Sequence, residues 1–270
     1  MYWTDEMRRT DVRRNSGGRV LLICGFGTGD ANEMERTYGR LVAEAREAEP
    51  AATVRLALTS PKIIERLTRE SGIRLPDVRS ALEDILGGAS GGALEIRILT
   101  AQVVGGTEFE KLEAIADAYS GQAEISLDRL LLAGPKIDRV ADMLVDEAAF
   151  FKEEAIVYVR HGAHGRDMRG PAAYHELQEL IRDRGTGNIF IGELQTGIET
   201  VIRELSQKAF RRIRLCSLMM DSGHHWFEDV AGENDGSWKN VLTRAGYEET
   251  CVRTGLLERK EIREILIRGI

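Results

Sequence analysis

Three residues in the second half of the sequence have the types and spacing of a metal-handling set. They are His161, Glu193 and His225, with 193 − 161 = 32 and 225 − 193 = 32. Neutral imidazole and carboxylate together suit borderline divalent metals such as cobalt, nickel, zinc and ferrous iron. Three protein ligands leave positions open for a reactant, whereas structural zinc sites close with four and favour cysteine. Each of the three ends or follows an apolar run. Residues 155–159 (AIVYV) lead into Arg160, His161 and Gly162, and residues 189–192 (IFIG) lead into Glu193. The run from Ile213 (IRLCSLMM) breaks at Ser222 and Gly223 before His224 and His225. About thirty residues make one strand, crossover helix and next strand. The spacing therefore predicts that His161, Glu193 and His225 stand at one level of three parallel strands, in the crevice where α/β sheets bind ligands.

The elements that must hold these residues fit a chain of 270 residues, long enough for one large domain or two small ones. With 43% hydrophobic and 30% charged residues the chain is expected to fold throughout. A formal net charge of −7 argues against a general nucleic-acid binder, which needs a basic surface. Membrane-spanning length is approached by none of the apolar runs. The first eighteen residues, MYWTDEMRRTDVRRNSGG, carry charges but no apolar stretch of the secretory kind, and read as a mobile lead-in. Cys24, Cys216 and Cys251 are odd in number and lack CxxC spacing, which fits buried reduced thiols in a cytoplasmic protein. His175, in the helical stretch AAYHELQELI, reads as a surface or capping histidine.

Along the chain, residues 20–24 (VLLIC) form the first strand, followed by the turn GFGTGD and a helix over about 32–48. That turn has neither the GxGxxG spacing nor the lysine of a phosphate loop. Strands are expected at 53–58, 94–99 and 129–133 (RLLLA), with helices at KIIERLTRE, 76–86 and after VVGG, and a flexible GGASGG loop. The second half restarts with a helix over 136–151 and repeats the plan. Residues 96–109 lie on 213–226 at an offset of 117, matching Glu108 to His225 and Phe109 to Trp226. Residues 25–28 lie on 160–163, and 54–58 on 189–193, both at an offset of 135. The expected fold is α/β, with two similar lobes, 1–135 and 136–270, each a small parallel sheet flanked by helices, and a cleft between them. The second lobe carries the reactive set, because Phe26, Leu58 and Glu108 stand at the equivalent positions of the first.

The segments GFGT, VVGGTEFEKL, VRHGAHG with PAAY, IGEL, and MMDSGHHWFEDVAGENDGSWKNVLTRAGY resemble the anaerobic, class II cobalt chelatases of cobalamin biosynthesis, from about Val20 onward. The resemblance implies a bilobal α/β protein that inserts a divalent metal into sirohydrochlorin or a close tetrapyrrole without ATP. It places the family's metal-binding residues on His161, Glu193 and His225, with the register from Ser237 and Trp238 selecting His225 over His224. The family's further acidic residue falls on Glu108. This sequence departs from the family pattern at Arg160, where glycine is usual, at Gly25 and Gly29, where serine is usual, and in having His164 and His224.

Metallation exchanges two pyrrole N–H protons for one divalent ion, so a weakly ligating His/Glu/His set can both hold the metal and accept protons. A macrocycle rich in carboxylates asks for guanidinium partners, and Arg160, Arg166 and Arg169 in RHGAHGRDMRG are the local supply. Arg160 can alternatively crowd the metal. Trp226 is read as an aromatic able to pack on the ring face, and Phe26 as core. Co2+ is the expected metal, with Fe2+ or Ni2+ insertion as a close variant, and no cofactor is expected beyond that metal substrate. The alternative class is a non-catalytic carrier that binds tetrapyrrole or metal without turnover; a metal-dependent hydrolase ranks below both. No nucleic-acid or membrane partner is expected, and a homo-oligomer is compatible with the sequence.

Overall fold

The computed structural model describes residues 18–89, 93–162 and 169–269. The first sheet and its helices begin with β1 (Arg19–Gly25), α1 (Ala31–Met34) and α2 (Arg40–Ala48), the two helices joined by a π-turn, Glu35–Gly39. β2 (Ala52–Leu58), α3 (Pro61–Ser71), α4 (Val78–Gly87), β3 (Glu95–Ala101), α5 (Thr107–Tyr119) and β4 (Glu124–Leu127) follow. The strands pair in parallel in the order β2-β1-β3-β4. β1 is apolar without alternation and its residues Leu21, Leu22, Ile23 and Cys24 are fully buried, as befits a central parallel strand covered on both faces. Side-chain caps start α1 and α4: Asp30 accepts from Glu33 N at 2.8 Å, and Asp77 accepts from Ser80 N at 2.9 Å. Ser60 caps α3 with Pro61 just inside it, and Gly72, at φ 68°, ends it in the left-handed conformation.

The second sheet repeats the plan. α6 (Pro135–Ala149), β5 (Glu154–Arg160), α7 (Arg169–Asp183), β6 (Ile189–Glu193), α8 (Ile198–Ser206), β7 (Arg212–Ser217), a π-turn at Trp226–Val230, α9 (Trp238–Arg244) and β8 (Glu248–Val252) precede a 3-10 turn at Leu256–Glu258. Its strand order is β6-β5-β7-β8, again all parallel. The internal repeat is therefore real in register. Gly25 pairs with Leu58 at the ends of β1 and β2, and Arg160 pairs with Glu193 at the ends of β5 and β6, both 135 residues on. β3 and β7 begin 212 − 95 = 117 residues apart.

One compact unit comprises the residues up to Leu131 together with Arg263–Ile270, and the other comprises Leu132–Ile262. The last helix, α10 (Lys260–Arg268), thus contributes its later turns to the first unit. There the buried Arg263 makes a two-pronged ion pair with Glu44, at 2.7 and 2.9 Å, and Arg97 donates to the Ile267 carbonyl at 2.9 Å.

The expected strand at 129–133 is corrected: the ladder partner of β3 is Glu124–Leu127. Leu130, Leu131 and Leu132 are buried, but in the turn before α6, where Leu131 N donates to the Gln102 carbonyl at 3.1 Å. An apolar run signals burial, and burial alone does not make a strand. Among the described residues no helix is long and apolar enough to cross a membrane. Cys24, Cys216 and Cys251 are free thiols, the first two buried. The N-terminal lead-in up to residue 17 and residues 90–92 of the GGASGG loop lie outside the described residues.

Candidate metal centre

The site is built at the carboxyl ends of β5 and β6. Arg160 and Glu193, last residues of these two strands, stand opposite each other in the ladder, and their side chains meet, Nη2 to Oε2 at 2.6 Å. The Arg160 guanidinium also lies over the ring of Tyr174 in α7, 4.4 Å from its centroid. Tyr174 is buried, and that burial raises its phenol pKa, keeping it neutral. His161 follows directly, half-buried, and then Gly162. A Cβ at Gly162 would stand 2.9 Å from Glu193 Oε1 and 3.1 Å from Gln195 Oε1, so glycine is what lets the carboxylate approach the backbone here.

Glu193 is held by a tight turn. Gly197 N donates to the Glu193 carbonyl at 2.7 Å, and Leu194 N donates to the Arg160 carbonyl at 2.9 Å. A Cβ at Gly197 would collide with the backbone N and O of Glu193. Behind the turn sits Trp238, almost fully buried, whose indole N–H donates to the Leu194 carbonyl at 2.9 Å. A Cβ on Gly192 would run into the Trp238 ring and stand 2.8 Å from Val201 Cγ2. The DGSW tail of the long loop is thus a wedge that fixes the end of β6, with Ser237 capping α9 through Asn240 N at 3.3 Å.

His225 arrives by a different route. It lies 225 − 217 = 8 residues beyond the end of β7, on a loop pinned by backbone bonds from Leu256 N to Met219 O (2.8 Å) and Leu257 N to Met220 O (3.0 Å). It then opens the π-turn Trp226–Val230. The His225 ring stands edge-on to that of His161, with centroids 5.1 Å apart at 68°. Its Nδ1 lies 2.7 Å from Asp229 Oδ2, one helical turn on. His161 Nδ1 lies 3.0 Å from the Gly162 carbonyl. A carbonyl can only accept, and a carboxylate accepts likewise, so Nδ1 is the donor in both contacts.

The structure therefore assembles two pairs, His161 with His225 and Arg160 with Glu193. Among the described residues no group of three His, Cys, Asp or Glu side chains is gathered as a metal cage. The equal spacing of 32 does not reflect three level strand ends, because only Glu193 ends a strand and His161 follows one, while His225 is brought in by its loop. Arg160, expected to crowd the metal or reach a substrate carboxylate, has its guanidinium paired with Glu193. Trp226 is corrected: at 1% exposure it packs in the core with Phe190, Val201 and Trp238, leaving no ring face for a ligand. Phe26, expected in the core, is 48% exposed. Arg169 is exposed at the first position of α7, and Arg166 and His164 lie outside the described residues. In the first unit Glu108 occupies the first turn of α5, taking a 2.8 Å bond from Lys111, while its buried Oε2 has no hydrogen-bond partner among the described residues. His224 stands 5.9 Å from His225, ring centre to ring centre. Sequence reasoning misses Asp229 and Tyr174. The first has a signal, its i+4 position from His225 on a helical turn; the second is the tyrosine of PAAY, a segment that carries the resemblance but is given no role.

Known proteins resemble the chain along most of its length. The chain is 24% identical over 262 residues to the sirohydrochlorin cobaltochelatase of Salmonella typhimurium, covering 92% of this chain and 94% of that protein. It is 27% identical over 248 residues to the sirohydrochlorin cobaltochelatase CbiKC of Nitratidesulfovibrio vulgaris, covering 88% and 84%. Among solved structures, the sirohydrochlorin chelatase SirB from Bacillus subtilis subspecies spizizenii in complex with cobalt superposes with a TM-score of 0.58 over 94% of both chains, at 9% identity, which speaks to the fold. A model of the cobalt chelatase (CbiK) family matches residues 19–270, from the first strand to the end of the last helix, and the chain belongs to that family.

Proposed function

We propose that this chain inserts a divalent metal, Co2+ in the first place, into sirohydrochlorin without ATP. The observation that carries the reading is the edge-on pair of His161 and His225, 5.1 Å apart, in a chain of the cobalt chelatase family. The two Nε2 atoms hold the ion, and Glu193 offers a carboxylate at the neighbouring strand end. Insertion forms metal–nitrogen bonds to the macrocycle and breaks two pyrrole N–H bonds, so two protons must leave for each ion transferred. As the ion departs, the vacated Nε2 lone pairs of His161 and His225 accept one proton each, and Asp229 steadies the resulting imidazolium of His225. Two imidazoles and one carboxylate bind a borderline metal weakly enough to surrender it, which a closed four-ligand site would not. Arg169 and Arg166, next to this site in sequence, are assigned to the substrate carboxylates, and Glu108 is a further substrate contact. The GFGTGD turn lacks the lysine of a phosphate loop, consistent with chemistry that needs no nucleotide.

The test is anaerobic. Catalytic amounts of protein are mixed with sirohydrochlorin and Co2+, Fe2+ or Ni2+, and the visible spectrum is followed against a protein-free control. Many turnovers per protein, fastest with Co2+, are expected. No acceleration with any metal, together with stoichiometric retention of tetrapyrrole, would instead establish a carrier.

A further inference from the structure

We propose that Arg160 is a built-in counter-cation that occupies Glu193 in the metal-free protein and that an incoming metal must displace it. The inference rests on the chelatase reading of the site and deepens it. The contact is close, 2.6 Å between Nη2 and Oε2, and the side chains are 16% and 30% exposed, so water screens the pair less than it screens one on the surface. A guanidinium in contact with a carboxylate competes with a divalent ion for it, because the two cations repel at the same anion. Glu193 Oε1 lies against Gly162, where a Cβ would stand 2.9 Å from it.

The pair is not something the fold demands. At the same ladder position of the first sheet the residues are Gly25 and Leu58, and the strands end in the same register. Nor is Arg160 loosely placed. Tyr174, 4% exposed, supplies a fixed ring on which the guanidinium lies, so the cation stays at the site when it leaves the carboxylate. Pairing and metal binding are then competing states of one carboxylate, and the apparent dissociation constant for metal rises by the inverse of the unpaired fraction. After the ion has gone to the macrocycle, Arg160 recaptures Glu193, and the metal is not drawn back. Arg160 is thus a positioning residue that sets how weakly the site holds its metal.

The decisive measurement is Co2+ affinity by calorimetry on the full chain with no tetrapyrrole present, so it stands or falls separately from the turnover assay. Arg160→Gln and Arg160→Gly are expected to bind Co2+ about tenfold more tightly than the unmodified protein. In a Glu193→Gln background the same changes are expected to have no effect, since the competition needs the carboxylate. Tyr174→Leu, which removes the platform and leaves both charges, should tighten binding by a smaller factor, and keeps the test decisive if the Arg160 variants do not fold. Unchanged or weaker Co2+ binding in folded Arg160 variants, or in Tyr174→Leu, would overturn the proposal. Tightening that persists without the Glu193 carboxylate would overturn it as well.

Discussion

What an imidazole can do at a metal depends on its other nitrogen, and here Asp229 decides it for His225. The 2.7 Å bond orients the ring and fixes the hydrogen on Nδ1. Asp229→Ala is therefore expected to weaken Co2+ binding about 10- to 100-fold. Because both side chains are half exposed, the melting temperature should barely move. Calorimetric titration checks this, and unchanged affinity would show that the bond orients nothing that matters. Residue types make His161, Glu193 and His225 candidates in the sequence, although the equal spacing of 32 has no three level strand ends behind it. They do not reveal that Glu193 is held by Arg160, because a side chain's partner is chosen by packing. Nor do they sort Trp226 from Phe26: both are large aromatics beside candidate ligands, and only the three-dimensional core buries one and leaves the other at 48% exposure.

At the scale of elements, the site depends on the end of β6 being rigid. Trp238 closes against Gly192 and donates to the Leu194 carbonyl, so the strand end and the turn after it are clamped from behind. Gly192→Ala forces a methyl group into the indole and is expected to cost about 1–3 kcal/mol of stability, read as a lower urea midpoint. Gly121→Ala, where the added methyl meets nothing within 4 Å, serves as the control and should stay within about 0.5 kcal/mol. Equal midpoints for the two variants would contradict the clamp. The offsets of 135 and 117 make the repeat legible in the sequence, since matched strand ends preserve register. The fourth strand of the first sheet is not legible there. Its residues EISL are short and mixed, whereas the more apolar RLLLA fills a buried turn. The route of the loop to His225 is equally hidden, because backbone bonds from Leu256 and Leu257 determine it.

Taken as a whole molecule, the chain is one α/β plan used twice, with the imidazole pair in the second copy only. Its buried and half-buried thiols give it a pH signature. Burial, and after it the Glu147 carboxylate, pushes the Cys216 thiol up to about 12, burial chiefly moves Cys251 to about 11, and burial alone raises Cys24. A folded pKa above the unfolded one means that the stabilisation is complete below the unfolded value, about 8.5, and is lost as pH climbs towards the folded value. The urea midpoint is expected to fall from pH 9 upward, and a Cys24→Ala, Cys216→Ala variant should flatten that fall; an unchanged slope would contradict it. In the proposed mechanism metal transfer turns on the two histidines. The measurement that bears on them is the anaerobic rate of Co2+ insertion into sirohydrochlorin by the unmodified protein and by the folded His161→Ala and His225→Ala variants. Turnover is expected in the first, and in both variants a rate no better than the protein-free control. Full activity in both variants would contradict a role for the imidazole pair in holding the metal.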